Sequence, residues 1–142
     1  MDLDLQEDEY IARIKANSRV IAVVGLSPNE ARPSWGVARY LQSQGYRVIP
    51  VNPGHSGSEL LGEKVYSHLA DIPKSEKVDM VDIFRRSDAV GGIVDEALAH
   101  LPDLKTIWLQ LGVIDDAAAQ KARAKGITFI QDRCPKIEFP RF

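Results

Sequence analysis

Residues 20–35, VIAVVGLSPNEARPSW, govern how this chain folds. The first five, Val20 to Val24, are apolar or small and four of them are β-branched, the composition of a strand buried on both faces. Gly25 ends the strand where a tight turn is needed. A polar loop carrying Ser27, Asn29, Arg32 and Ser34 follows. From Trp35 to Gln44 the spacing predicts a helix, with Trp35, Ala38 and Leu41 on one stripe and Val37 and Tyr40 beside it. Strand, glycine turn and helix N-terminus in that order make an anion-binding arrangement, because the first helical N–H groups lack partners and point at the loop.

Outward from this stretch the pattern repeats. Before it, residues 2–6 read as frayed and Glu7–Ala16 as a short helix with Tyr10, Ile11 and Ile14 on one side. After it, Tyr46–Val51 reads as a second strand, with Pro50 placing its end at an edge or beyond the ladder. The run NPGHSG, 52–57, is turn chemistry. Leu60–Tyr66 is expected to be a short extended piece and His68–Ile72 a single helical turn. Val78–Phe84 is the third core strand, with Asp79 and Asp82 expected to flank its buried centre. Ser87 caps a predicted helix over 88–100 whose inward residues are Val90, Ile93, Val94, Ala97, Leu98 and Leu101. Lys105–Leu109 is the fourth strand, Asp115 starts a helix over 116–125, and Gly126 stands where a C-terminal glycine belongs. Ile127–Ile130 is the fifth strand, and the tail from Gln131 is expected to be mostly irregular. Strands alternating with helices of about three turns imply βαβ units. The expected fold is α/β: a single domain built on a doubly wound, parallel, five-stranded Rossmann-like sheet, ordered 3-2-1-4-5.

Composition narrows the function. A chain of 142 residues fits one domain with a real core. The apolar fraction of 44% and charged fraction of 27% suit a water-soluble fold, and a net charge of −2 offers no blanket attraction to nucleic acid or to an anionic membrane. No apolar run approaches the roughly 20 residues of a membrane span. The acidic start, MDLDLQEDEY, is not a secretory signal. One cysteine, Cys134, precludes an internal disulfide and suits a reducing cytoplasm. With one Cys and the scattered His55, His68 and His100, no metal site is expected.

In an open α/β sheet, ligands bind outside the carboxyl ends of the strands. Four arginines from three loops are expected there: Arg32, Arg85, Arg86 and Arg133. Each one alone is better read as paired with Asp82, Asp88, Asp132 or Glu138, whereas the set beside a helix N-terminus favours a phosphate-bearing ligand. A dinucleotide fingerprint needs G-x-G-x-x-G, but the positions here are Gly25, Ser27 and Glu30, and no acid ends the second strand at Val51-Asn52-Pro53. NAD is disfavoured, and the Walker A loop is absent. Neither a G-x-S-x-G elbow nor an H-E-x-x-H pair occurs, so no catalytic residue is assigned. His55 reads as a solvated loop residue, Trp108 as core, and Phe84 as either core or a stacking surface for a flat base. Cys134 reads as a small buried hydrophobe or as a thiol near Arg133.

Five separated stretches then carry a resemblance. GLSPNEARPSWGVARYLQSQGYRVIPVNP, LGEKVYSHLADIP, VDIFRR, WLQLGV and DRCPKIE, in that order, resemble the small stand-alone CoA-binding proteins. These are single-domain relatives of the CoA-binding domain in succinyl-CoA synthetase and the NDP-forming acyl-CoA synthetases. The resemblance implies a CoA-binding domain over 18–142 with residues 1–17 as a helical extension. It implies coenzyme A, or an acyl-CoA, as the small-molecule ligand, lying across the carboxyl edge. By position, Gly25, Ser27, Arg32 and Ser34 would surround the phosphates, and Asn52 and Pro53 would contact the nucleotide or its 3′-phosphate. Phe84 and Arg85 would sit against the adenosine, and Gln110 and Gly112 would flank the pantetheine path. Cys134 would then lie near the ligand's thiol, within reach of a mixed disulfide. The larger synthetases carry a phosphorylated histidine on a second domain and an ATP-grasp region, and neither is found here. The expectation is therefore a binding module, with a synthetase-like subunit needing a partner chain, or a homo-oligomer, as alternatives and a degenerate oxidoreductase as a third.

Overall fold

Helix α1 (Leu3–Asn17) leads into β1 (Val20–Val24), α2 (Pro33–Ser43) and β2 (Arg47–Val51). A small hairpin, β3 (Glu59–Leu60) with β4 (Glu63–Lys64), follows. The chain then runs through β5 (Met80–Ile83), α3 (Ser87–His100), β6 (Thr106–Leu109), α4 (Asp116–Ala124), β7 (Thr128–Ile130) and α5 (Pro135–Glu138). The computed structural model describes residues 3–142, with side chains from Gln6 onward. Asp2, read above as frayed, lies outside the described residues, whereas Leu3–Gln6 are not frayed but form the start of α1.

The five long-range strands make one parallel sheet in the order β2-β1-β5-β6-β7. This corrects the expected order. The third core strand does not lie outside the second; it pairs with β1 from the other side. The reason lies in Pro50. Met80–Ile83 has an N–H at every residue and pairs with a strand on each side, whereas β2, itself buried at four of five positions, carries a proline that suits an edge. Val20–Val24 is likewise central, and β2 takes the edge, where Pro50 sits within the strand opposite Val23. Because Arg47 N–H bonds toward β1, the alternate position Pro50 turns its missing N–H away from the ladder, as an edge allows.

Helices cover both faces. Ala22, Val24, Val81, Ile83, Ile107 and Leu109 pack against α3 and α4 through Val90, Val94, Ala97, Ala118 and Ala122. The opposite face, with Ile21, Val23, Met80 and Trp108, packs against α1, α2 and the segment after α5 through Ile11, Ile14, Val37, Leu41 and Phe139. Ile93 and Leu98, expected inward, are only partly buried. The buried stripe of α2 is Ser34, Val37, Ala38 and Leu41; Ala38 and Leu41 are inward as expected, whereas Trp35 is only partly buried. Asp115 caps α4 by accepting the Ala118 N–H at 3.0 Å, as expected. Ser87 does not cap α3; its hydroxyl instead accepts the Ile114 N–H at 3.0 Å.

Two further expectations are corrected. The tail is not irregular: Pro135 starts α5 and a 3₁₀ turn, Phe139–Arg141, closes on the core. Phe139 is fully buried, edge-on to Trp108 with centroids 5.8 Å apart. Asp79 does precede its strand, accepting the Arg19 and Val20 N–H groups, but Asp82 lies inside the strand and is fully buried. The short pieces expected over 60–72 are present as the hairpin, a Val51–Tyr66 bridge and a 3₁₀ turn at Leu69–Asp71.

Candidate functional site

The path reverses at β1: α2 carries the chain to β2 on one face, whereas α3 and α4 carry it onward from β5 on the other. Such a reversal leaves a crevice between the carboxyl ends of the two strands involved, here β1 and β5. Gly25 sits at its mouth with φ +88. A Cβ there would stand 2.5 Å from the Phe84 carbonyl oxygen, so only glycine lets the two strand ends meet. Gly25 N–H bonds to Val51 O and Phe84 N–H to Val24 O, both at 2.8 Å, which locks the three strand ends together.

The loop after Gly25 is stitched by its own side chains. Ser34 Oγ accepts the Ser27 N–H at 3.0 Å, Ser27 Oγ accepts that of Asn29 at 3.1 Å, and Asn29 Oδ1 accepts that of Ala31 at 3.0 Å. Arg32 stands in the N-cap position of α2 without a side-chain cap; Pro33 has no N–H and the Trp35 N–H bonds to Arg32 O at 3.1 Å, which leaves the Ser34 N–H to the adjoining space. That space is a cavity of about 290 Å³ lined by Gly25, Ser27, Arg32, Pro33, Ser34 and Phe84. Lys136 of α5 stands beside the first turn of α2, outside the cavity lining, its Nζ 3.8 Å from where a Gly36 Cβ would stand. The Arg32 guanidinium and the helix N-terminus, with this ammonium nearby, make this end of the groove electropositive.

On the other side of the same strand ends lies a second cavity, of about 260 Å³. Its walls are largely apolar, from Val24, Val51, Pro53, Leu69, Ala89 and Ile93, with Arg85, His68 and Glu96 at the rim. The Glu96 carboxylate is held there by the Ala70 N–H at 2.9 Å. An apolar slot beside a cationic, donor-rich loop suits a ligand with one flat apolar end and a phosphorylated middle.

Seven of the ten residues singled out from sequence come together around these two cavities: Gly25, Ser27, Arg32, Ser34 and Phe84 on one, Pro53 and Arg85 on the other. Asn52 braces rather than lines, its amide donating to Leu26 O and accepting from Gly54 N–H, each at 3.0 Å. Gln110 and Gly112 line neither. Gln110 is buried, and its amide nitrogen, in the orientation that satisfies both side chains, donates to the two Asp82 oxygens at 2.9 and 3.1 Å. Burial holds the Asp82 carboxyl well above the ordinary carboxylate range. Gly112 lies in an exposed turn with φ +79. Of the four edge arginines, Arg133 pairs with Glu7 and Glu138 at 2.7 and 2.8 Å and Arg86 approaches Asp88 at 3.5 Å. Arg32 and Arg85 form no ion pair recorded among the described residues and are the two that line cavities. Cys134 is buried in the apolar cluster, the first of its two readings. His68, Ile93, Glu96 and Lys136 went unassigned, although His68 falls in LGEKVYSHLADIP and Lys136 in DRCPKIE. No group of three or more metal-ligating side chains occurs among the described residues. A larger cavity, about 690 Å³, lies elsewhere, along β7, where Arg123 donates to Phe129 O.

A protein-family model for a CoA binding domain matches residues 19–140. The chain belongs to this CoA-binding domain family. This CoA-binding domain is similar to YneT of Bacillus subtilis (strain 168), an uncharacterized protein, with 39% identity over 127 residues that span 89% of this chain and 90% of YneT. The structure of cell-free ID.343 from Thermus thermophilus is 36% identical, with a TM-score of 0.86 over 94% of this chain and 97% of that one. The dinucleotide-forming acetyl-coenzyme A synthetase 1 of Ca. Korarchaeum cryptofilum, solved with phosphate and ADP, is 26% identical with a TM-score of 0.68. That match takes in 82% of this CoA-binding domain but only 26% of the synthetase chain. Among the described residues no helix is long and apolar enough to cross a membrane.

Proposed function

We propose that this chain binds coenzyme A across the carboxyl edge of its sheet and acts as a binding module without a catalytic centre of its own. The observation that carries the reading is the pair of cavities meeting at Gly25 and Phe84–Arg85, one apolar and one cationic. In this reading the adenine enters the slot between Val51, Pro53 and Ile93, with Arg85 and His68 at its polar rim. The diphosphate lies over the α2 N-terminus, held by the Ser34 N–H, the Ser27 and Ser34 hydroxyls and Arg32, with Lys136 farther along α2. Asn52 fixes the turn that shapes the nucleotide end, and Gln110 and Gly112 belong to the floor and turn beneath the pantetheine arm. The nucleotide-carrying fold is residues 18–142, and α1 closes its second face.

Calorimetric titration tests the reading. CoA is expected to bind more tightly than NAD or NADP, and Arg32→Ala to weaken CoA on the order of tenfold, the scale of one charge-assisted hydrogen bond. Absent CoA binding, or equal affinity for NAD, refutes it. The synthetase match over a quarter of a larger chain favours a second reading, a CoA-binding subunit whose catalytic partner is a separate chain. Pull-down from the native cell followed by an acyl-CoA synthesis assay separates the two, since only the subunit gains activity with its partner.

A further inference from the structure

The carboxyl edge holds a third cavity, farther along, that the two nucleotide cavities do not touch. It has a volume of about 420 Å³ and lies between the turn after β6 and the start of α5, with Leu111 and Ile137 on its walls. Both are large apolar side chains standing in solvent, 58% and 56% exposed. Single exposed leucines need no explanation, but two that border one opening form a surface that gains by being covered. Their placement is built in. The N–H of Gly112 bonds to Asp132 Oδ1 at 2.7 Å, which fastens the turn after β6 to the turn after β7.

This cavity continues the line of the proposed site. Lys136 comes up to Gly36 in the first turn of α2, and the next residue, Ile137, walls the third cavity. From β1 to β7 the edge spans three strand spacings, about 14 Å. An extended pantetheine arm leaving the loop covers such a distance and brings its sulfur to Leu111 and Ile137. Charge then selects among acyl groups. Glu7, Asp132 and Glu138 line the cavity with Arg133, whose guanidinium is already shared between Glu7 and Glu138. A second carboxylate on the ligand would meet net negative charge there, whereas an alkyl chain would meet leucine and isoleucine.

Resting on the CoA reading, we infer that the ligand is an acyl thioester of CoA, and that Leu111 and Ile137 form the subsite for an uncharged acyl chain. Calorimetric titration of the full chain with CoA, hexanoyl-CoA and succinyl-CoA tests it. Each buried methylene is worth roughly a fourfold gain in affinity, and two half-exposed side chains cover about two carbons of the chain, so hexanoyl-CoA is expected to bind on the order of tenfold more tightly than CoA. Succinyl-CoA should gain nothing. The double variant Leu111→Ser/Ile137→Ser, changed only at exposed positions, should keep the affinity for CoA and lose the gain for hexanoyl-CoA. Equal binding of CoA and hexanoyl-CoA, or a gain that survives the double substitution, overturns the acyl subsite and leaves CoA binding standing. Succinyl-CoA binding as tightly as hexanoyl-CoA overturns the choice of an uncharged chain. Failure of all three to bind overturns instead the reading on which the subsite rests.

Discussion

Replacing Gly25 by alanine should damage the fold and the site together, and the structure says by how much. The residue has φ +88, where any side chain is strained by about 1 kcal/mol or more. The added methyl would also stand 2.5 Å from the Phe84 carbonyl oxygen, and that oxygen cannot swing aside freely. The Phe84 N–H is held by Val24 O at 2.8 Å, so relief requires parting the carboxyl ends of β1 and β5. Overpacking of that kind costs about 2 kcal/mol, for an expected loss of about 3 kcal/mol. At this chain length that corresponds to a fall in Tm of about 10 °C. Gly45→Ala is the matched control. Gly45 has φ +94, but a Cβ there meets nothing within 4 Å, so it should lose only the conformational part, about 1 kcal/mol. Urea unfolding followed by circular dichroism measures both, and titration with CoA below the transition should show weakened binding in Gly25→Ala alone. If the two variants agree within about 0.5 kcal/mol, the close approach at the crevice contributes nothing and the account of Gly25 is wrong.

Two further outcomes follow from buried side chains. Burial keeps the proton on Asp82 to higher pH in the folded protein than in the unfolded chain, so Asp82 destabilises the fold progressively as pH rises above the ordinary aspartate value of about 4. Asp82→Asn should therefore gain stability relative to the parent as pH rises, with little difference in acid. Urea midpoints of both proteins across that range check it, and a difference independent of pH would refute it. Phe139→Ala empties a fully buried site against Trp108 and Tyr46 and should cost about 4 kcal/mol, read by thermal unfolding. A loss below about 1 kcal/mol would mean that the tail is not part of the core.

The elements that were legible in the sequence are those whose pattern is local. The run Val20–Val24, the Asp115 cap of α4 and Gly126 with φ +78 after it all act within a few residues of themselves. The helical tail was missed because Phe139 makes no local pattern; its partners, Trp108 and Tyr46, are far away in sequence. Asp82 was misplaced for a related reason. An aspartate is a poor strand-centre residue until an amide such as that of Gln110 lies against it, and that pairing exists only across β5 and β6. The same partnership drew Gln110 into the interior and away from the cavities. In the site, the glycine turn and the helix entrance were readable because strand, turn and helix are contiguous. His68 was not, because it reaches the apolar slot from a distant loop, nor was Lys136, which comes beside Gly36 from the far end of the chain.

By itself, the sequence determined a parallel α/β sheet with an anion-ready loop after its first strand, since alternation of strand and helix and the Gly25 turn are properties of consecutive residues. It also identified the family through five ordered stretches, which the match over 19–140 bears out. Only the tertiary structure decided on which side of β1 the strand Met80–Ile83 lies. Both neighbours of β1 are apolar runs, and although Pro50 marks β2 as an edge, nothing local says that β5 takes the place on the other side of β1. What decides it is how the helices and the hairpin pack around the finished sheet. That placement opens the crevice at Gly25 and Phe84, and so turns a phosphate loop into a site with an apolar slot on its far side.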